Sequence, residues 1–185
     1  MRNKVFHYIF LLCLAAFSVT IKAGETIEKD NKHTTIIAGW LETIILEPWQ
    51  IRLRAKLDTG AKTSSLHAVD IERFEQDGVP WVRFQTHAKT DNSAIKRIEL
   101  PIKRDVKIKS HHNGATIRPV VELQFCLNGQ HYKGEFSLAD RDQFNYPVLL
   151  GRRVLKQGIM VDASATFLLS TSEKRCKNIA NTTDN

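Results

Sequence analysis

The chain has 185 residues and a formal net charge of +7, with 42% hydrophobic and 25% charged residues. This size is that of one domain that can bury an apolar core without disulfide support, and no internal repeat indicates a second domain. The charge is positive, but the sequence has no basic stripe interleaved with aromatic residues, which argues against a nucleic-acid partner.

The first predicted element is an export signal over residues 1–23. Met1–Lys4 form a basic start, the run Val5–Val19 is mostly apolar, and small residues follow up to a cleavage site after Ala23. The apolar run is shorter than the ~20 residues of a membrane span. We therefore expect an exported protein, periplasmic or secreted, with no stable membrane insertion after signal cleavage. An uncleaved N-terminal anchor is the alternative.

The predicted domain covers residues 36–170 and lies between two polar segments. Residues 24–35 form a charged, flexible arm, and residues 171–185 form a polar tail. Two cysteines follow the signal, Cys126 in an apolar run and Cys176 in the tail. An oxidising compartment permits a disulfide between them, but a buried free thiol at Cys126 is the preferred interpretation, because the sequence gives no distance between the two.

The domain itself consists of short apolar runs separated by turn residues. Apolar and basic side chains alternate from Ile51 to Leu57, which is the period of a strand with one buried face. Asn128-Gly129 and Gln76-Asp77-Gly78 are turn signals of β-hairpins. With one short helix over Arg152–Gln157, this pattern predicts an all-β barrel or sandwich. The predicted strands are Ile36–Trp40, Thr43–Leu46, Ile51–Leu57, Ile71–Phe74, Val79–Phe84, Ile98–Leu100, Val106–Ile108, Val120–Leu127, Gln130–Leu138, Pro147–Leu150, Ile159–Val161 and Thr166–Leu169.

The strand that begins at Ile51 runs directly into Asp58-Thr59-Gly60. On its own this tripeptide is a common turn. Here it ends a hydrophobic alternating strand, and small and hydroxyl side chains follow it. Gly60 permits a tight backbone approach, and the Thr59 hydroxyl can bridge to a second turn of the same kind. The residues expected to form and support the turn are Thr59, Gly60, Ala61, Thr63 and Ser64.

Such a turn can hold a carboxylate for acid–base chemistry. Metal-free hydrolysis of a peptide bond needs one group that takes a proton from water and another that gives a proton to the carbonyl oxygen. Two carboxylates a few ångströms apart meet both needs, because they share one proton. Asp58 is therefore the candidate catalytic residue.

These motifs are similar to those of the retropepsin-like aspartic peptidases. The closer resemblance is to the bacterial and archaeal group that carries the label "ATP-dependent zinc protease", and it extends from about Ile36 to Leu169. The resemblance implies a closed acid-protease barrel with one short helix and an aspartic mechanism, with Leu150, Gly151 and Arg152 as a structural motif near the site. The segments that carry it are Gly39-Trp40, Ala55–Ala68, Arg118–Val121, Glu135–Arg141 and Tyr146–Arg152.

Neither zinc nor ATP has support in the sequence. A common class of zinc proteases carries His-Glu-x-x-His on a helix, and ATP use calls for a Gly-rich phosphate loop that ends in Lys-Ser or Lys-Thr. The sequence contains neither motif. We therefore expect no metal and no cofactor.

The sequence has one Asp-Thr-Gly, since Asp162-Ala163-Ser164 lacks the glycine. A pair of catalytic carboxylates then requires two chains related by a two-fold axis. The predicted protein is a homodimeric aspartic endopeptidase that acts on peptide or protein substrates. The alternative is a non-catalytic module on the same fold that binds peptides or another envelope component.

Further residues near the site have two interpretations each. His67 follows Asp58 by nine residues and could support it, or could be an ordinary hydrogen-bonded histidine. Asp140 and Arg141 could belong to the surroundings of the site, or to a solvated loop with a structural ion pair.

Two features bear on the substrate. The hairpin over Ile71–Phe84 is a candidate flap that would close over a bound peptide, although its turn lacks the multiple glycines of viral flaps. Basic residues flank Asp58 in the sequence, and a positive site favours acidic peptides. These residues are Arg52, Arg54, Lys56 and Lys62.

Overall fold

The structure is a computed structural model that describes residues 34–86, 96–110 and 114–177. The predicted export signal, most of the predicted arm and the end of the tail lie outside the described residues. Among the helices of the described ranges, none is long and apolar enough to cross a membrane.

The described residues form eleven strands and two short helices, which confirms the predicted all-β class. Of the two helices, α2 was not predicted, and it lies in the tail. In chain order the elements are β1 (Ile36–Glu47), β2 (Ile51–Leu57), β3 (Ser64–His67), β4 (Val69–Gln76), β5 (Val79–Thr86), β6 (Lys96–Pro101), β7 (Arg104–Ser110), β8 (Gly114–Leu127), β9 (Gln130–Ala139), β10 (Val148–Leu150), α1 (Arg152–Leu155), β11 (Ile159–Thr166) and α2 (Glu173–Lys177).

Six strands close into a barrel in the order β1-β2-β10-β3-β9-β8, because β8 pairs with β1 as well as with β9. The barrel confirms the predicted closed architecture. β11 extends the sheet beside β1, and β7 extends it beside β8. Strands β4, β5 and β6 form a separate three-stranded sheet. The predicted hairpin is therefore present as β4–β5, with Val82 and Phe84 fully buried in the core.

The alternating pattern of β2 explains how the barrel positions its site. Ile51, Leu53, Ala55 and Leu57 are buried, while Arg52 and Arg54 between them are exposed. Burying a Leu-sized side chain contributes about 1.5–3 kcal/mol, so a shift of one residue would expose the apolar set and bury the arginines. The register of β2 in the sheet is therefore strongly fixed. It determines where the chain leaves the strand after Leu57.

Several strand predictions differ from the structure. The predicted strands Ile36–Trp40 and Thr43–Leu46 form one strand, β1, and β8 begins at Gly114 and not at Val120. The four residues of β3 were not predicted, since Ser64–His67 has neither a long apolar run nor a clean alternation. The predicted strand Thr166–Leu169 is wrong beyond Thr166, because β11 ends there and Phe167 has a φ of 53°, outside the β region. The chain therefore leaves β11 at Phe167.

The preferred interpretation of Cys126 as a free thiol is wrong, because it forms a disulfide with Cys176. Both sulfurs are buried together with Ile45, on the outside of the barrel. Thr171 is also buried, and its hydroxyl accepts a hydrogen bond from the Asn128 N–H at 3.0 Å. The first part of the polar tail is thus attached to β8, a contact between residues 50 positions apart that the sequence pattern did not reveal.

A buried carboxylate, Glu42, connects β1 with the end of β11. Its Oε1 accepts hydrogen bonds from the Gly39 N–H at 2.7 Å and the Leu168 N–H at 2.9 Å. Its Oε2 accepts one from the Leu169 N–H at 3.3 Å. Three backbone donors thus satisfy a side chain with no exposed surface, and they fix the segment that follows Phe167.

Candidate active site

Asp58 lies directly after β2, where the chain enters a tight turn. Its backbone N–H donates to the Leu150 carbonyl at 2.8 Å, which ties the turn to β10. Its Oδ1 accepts hydrogen bonds from the N–H groups of Gly60 at 2.9 Å and Ala61 at 3.2 Å. Its Oδ2 lies 3.4 Å from the Lys56 ammonium, and the side chain is 24% exposed. The carboxylate is therefore held in one orientation and is accessible from outside.

Opposing effects act on the pKa of Asp58. Partial burial raises this pKa, whereas the Gly60 N–H and the positive charge of Lys56 lower it, and the pKa lies below its ordinary value. Asp58 is therefore ionised at neutral pH in a single chain. A second carboxylate at contact distance would repel the negative charge of Asp58, so that one of the two carboxyl groups would have a raised pKa.

The predicted glycine motif packs against this turn. The Gly151 N–H donates to the Ser64 hydroxyl at 3.1 Å. The backbone N–H of Arg152 donates to the Ala61 carbonyl at 2.9 Å. The turn after β2 and the segment after β10 are thus joined by hydrogen bonds, and the role of Gly151 and Arg152 at the site stays a prediction.

The Arg152 side chain strengthens the same contact. Its Nη1 donates to the carbonyls of Thr59 at 2.9 Å and Gly60 at 2.8 Å. The Thr59 side chain is exposed, and Thr63 is half-buried. The structure therefore brings the predicted supporting residues into one turn around Asp58, and their functional roles stay predictions.

His67, Asp140 and Arg141 come together in a second group. His67 is fully buried, and its Nδ1 accepts a hydrogen bond from the Arg141 N–H at 3.1 Å. Carboxylate oxygens of Asp140 and Asp142 lie 3.9 Å from Nδ1 and 3.7 Å from Nε2. The Arg141 guanidinium donates to the Ser65 hydroxyl at 2.7 Å, and thereby connects this group to β3 beside the active-site turn.

Ligand atoms of His67, Asp140 and Asp142 lie close enough together to be considered as a metal site. Their protonation argues against it. Since Nδ1 accepts the Arg141 N–H, a neutral His67 ring carries its proton on Nε2, the nitrogen that faces Asp142. A protonated ring nitrogen does not bind a metal. The geometry fits a hydrogen-bonded histidine, and the expectation of a metal-free protein stays a prediction.

A cleft of about 420 Å³ opens beside Asp58. Asp58 is its one acidic residue among the described lining residues, and two cations, Lys56 and Arg141, also face it. Burial lowers the pKa of Arg141, and Arg118 adds to this effect. The remaining lining residues are Trp40, Phe144, Asn145, Tyr146 and Leu149.

Sequence reasoning did not assign the aromatic walls of this cleft. Trp40 and Tyr146 are in edge-to-face contact with ring centroids 6.0 Å apart, and the Phe144 ring lies 4.5 Å from the Arg141 guanidinium. Trp40 and Tyr146 fall in segments that carried the family resemblance. The alternation of residues within a strand does not show which distant segments are neighbours. It therefore could not predict that β1 lies next to the connection between β9 and β10, where these rings meet.

Comparison with known proteins agrees with this geometry. The model of the RimB-like family, described as retropepsin-like aspartic endopeptidase RimB, matches residues 37–172. A crystal structure of a Legionella pneumophila protein with unknown function superposes with a TM-score of 0.63 at 34% sequence identity. That alignment covers 73% of this chain and 98% of the Legionella chain.

Part of the chain is also similar to larger curated proteins. A probable alpha-L-glutamate ligase from Shewanella pealeana is 36% identical over 118 residues, which are 63% of this chain and 26% of that protein. A protein of the same name from Desulfotalea psychrophila is 32% identical over 123 residues, 66% of this chain and 26% of the relative. The chain thus spans about a quarter of the length of these relatives.

Proposed function

Because the chain belongs to the RimB-like family of retropepsin-like aspartic endopeptidases, we propose that it hydrolyses peptide bonds with a pair of Asp58 carboxylates. Each subunit of a homodimer contributes one of them. The observation that carries the proposal is the fixed orientation of Asp58, whose Oδ1 accepts two backbone hydrogen bonds while the side chain stays accessible.

The mechanism follows from what a second carboxylate would do. In one chain, Lys56 and the backbone N–H groups keep Asp58 ionised. When the second Asp58 approaches across the two-fold axis, the two like charges favour one shared proton. The ionised carboxylate takes a proton from water as the water attacks the peptide carbonyl, and the protonated one donates to the carbonyl oxygen. No cofactor takes part.

Acidic peptides are the proposed substrate class. Lys56 and Arg141 line the cleft beside Asp58, and both would attract a carboxylate of the substrate. Relatives named probable alpha-L-glutamate ligases support the same substrate class, because glutamate carries a negative charge. The Cys126–Cys176 disulfide supports export to an oxidising compartment, periplasmic or extracellular.

The catalytic proposal is tested with Asp58→Asn. The purified wild-type protein and the variant are incubated with a complex peptide mixture, and new termini are identified by mass spectrometry. We expect cleavage by the wild type and none by the variant, with thermal melting unchanged to within a few degrees, because Asn keeps one oxygen for the two backbone donors. Equal cleavage by the variant would refute the role of Asp58.

The dimer is tested by mixing the two proteins. If each active site needs Asp58 from both chains, an equimolar mixture that exchanges subunits retains about a quarter of the activity of the wild type, since only wild-type homodimers are active. Activity of about one half would show that each chain works alone. Sedimentation at the assay concentration serves as the control for association.

A non-catalytic peptide-binding module is the second candidate. One observation favours it: the described lining of the cleft in a single chain includes one carboxylate, Asp58, and that carboxylate is paired with Lys56. A protein that stays monomeric up to high concentration, binds acidic peptides and cleaves none would establish this alternative.

A further inference from the structure

Three cations follow one another along the outward face of β2. Arg52, Arg54 and Lys56 occupy alternate positions, and the residues between them, Leu53 and Ala55, are buried. Alternate residues of a strand lie about 6.8 Å apart, so the three side chains form a row about 13 Å long. The row ends beside Asp58, to which Lys56 is bound at 3.4 Å.

The first two cations of this row are not neutralised within the described part of the chain. Arg52 and Arg54 form no ion pair there, and both are exposed. Other arginines do form ion pairs, namely Arg73, Arg83, Arg104 and Arg153. Like charges at adjacent outward positions repel one another. A negatively charged partner would remove this repulsion.

The two arginines line a groove of about 520 Å³, together with Thr43 of β1 and residues between Phe167 and Thr171. We call it the β2 groove. Phe167 is the unusual residue of its wall, because a bulky aromatic rarely adopts the left-handed φ of 53°. Its ring is nevertheless 47% exposed and lies 5.9 Å from the Arg54 guanidinium. Strained backbone conformations cluster at functional sites, and here one keeps an aromatic ring near a cation that has no ion-pair partner among the described residues.

We infer that the β2 groove binds an extended acidic segment of the substrate, with one carboxylate on every second residue; this inference rests on the proposed endopeptidase function. An extended peptide carries the side chains of one face at the same spacing as a strand. Carboxylates at alternate positions would therefore meet Arg52, Arg54 and Lys56 in register, and the segment would lead to the cleft at Asp58.

The geometry favours peptide over single-stranded nucleic acid. Nucleic acid also carries regularly spaced negative charges, but proteins that bind it without sequence preference stack successive bases on several aromatic side chains. Among its described lining residues the groove offers one aromatic ring, Phe167.

Binding is measured by fluorescence anisotropy with Asp58→Asn, so that no probe is cleaved. The first probe is a labelled, terminally blocked peptide with three glutamates at alternate positions. The second is its isomer with glutamates at every third position, and the third is a short oligothymidylate of equal charge. We expect the alternating peptide to bind about fivefold tighter than its isomer, since the isomer can place fewer carboxylates in register. Equal affinity of the isomers, or an oligothymidylate that binds as tightly as the alternating peptide, would overturn the inference.

Charge-neutral variants assign the effect to the groove. Arg52→Gln and Arg54→Gln, each in the Asp58→Asn background, should weaken the alternating peptide about twofold to fivefold and reduce its salt dependence. Arg97→Gln on β6 makes the same change in net charge and should have no effect. If all three variants weaken binding equally, net charge alone attracts the peptide and the groove is refuted.

The two proposals fail in different ways. A wild-type protein that cleaves no peptide refutes the proposed function, while the binding order of the two isomers can still be read. An active peptidase that binds both isomers equally refutes the groove and leaves the catalytic role of Asp58 intact.

Discussion

Gly151 lies so close to Thr63 that a Cβ at position 151 would be 2.6 Å from the Thr63 carbonyl oxygen. The neighbouring Ala61 carbonyl oxygen would be 3.0 Å away. All these contacts are with backbone, which cannot rotate aside as a flexible side chain would. The active-site turn therefore needs glycine at position 151 for reasons of space.

We expect Gly151→Ala to push the turn away from β10. The cost of such overpacking is about 2 kcal/mol, and the Asp58 carboxylate would be displaced with the turn. Urea unfolding should show the loss of stability. Peptidase assays should show a reduced kcat even at temperatures where the variant is fully folded. Gly78→Asn, in an open surface turn with a φ of 73°, should cost less, about 0.5–1 kcal/mol, because nothing lies within 4 Å and Asn tolerates the left-handed region better than most residues. Wild-type stability and activity in Gly151→Ala would contradict the close packing.

Glu42→Gln should destabilise the fold strongly. The carboxylate accepts from three backbone N–H groups, whereas the amide of Gln offers one oxygen and would direct an N–H group toward a backbone donor. We expect a loss of about 3 kcal/mol in free energy of unfolding, measured by urea titration. Glu75→Gln, an exposed residue of β4, is the matched control and should be neutral within about 0.5 kcal/mol.

Glu135 should make stability depend on pH. Hydrogen bonds from Arg104 lower its pKa, burial opposes them, and the charges of Arg104 and Arg153 lower it further. The folded protein therefore keeps Glu135 ionised at pH values where the unfolded chain binds a proton. This stabilisation is fully present above the unfolded pKa of about 4.3 and is lost as pH falls through the folded value.

Glu135→Gln should accordingly cost about 1 kcal/mol at pH 7, and the difference from wild type should shrink below pH ~4. Urea unfolding of both proteins at pH 7, 5 and 3 measures this difference in the free energy of unfolding. A difference that is constant across this range would show that Glu135 acts through packing and not through its charge.

Removal of the disulfide should destabilise the protein without changing the Asp58 turn. Replacement of Cys126 and Cys176 by Ala should cost about 2–4 kcal/mol, because the bond closes a long loop in the unfolded chain. Thiol titration under denaturing conditions should find neither thiol free in the wild type. Dithiothreitol should lower the melting temperature of the wild type and leave that of the double variant unchanged.

The sequence predicted best what is encoded locally. β2 was predicted with its observed bounds because seven residues alternate without exception, and Asp58-Thr59-Gly60 follows directly as a turn signal. The hairpin turns at Asp77-Gly78 and Asn128-Gly129 both have φ in the left-handed region, which is why those dipeptides occur there.

Contacts between distant segments could not be predicted in the same way. Glu42 reads as a polar residue within an apolar run, and its partners Leu168 and Leu169 lie more than 120 positions later. The Cys126–Cys176 bond depends on how the tail returns to β8. The cleft walls likewise depend on barrel closure, which places Trp40 next to Tyr146.

The disulfide connects the redox state of the surrounding compartment with the shape of the β2 groove. The wall of the β2 groove, from Phe167 to Thr171, is held at one end by Glu42 and at the other by the tail that Cys176 attaches to β8. A chain kept in a reducing compartment would retain the Asp58 turn, which depends on β10 and Gly151, but its groove would have a loose wall. We expect a reduced chain to keep the attraction of Lys56 and Arg141 for a carboxylate but to lose the selectivity that the groove adds. If the chain has the proposed function, the redox state of its compartment would then set how strongly it selects acidic substrates.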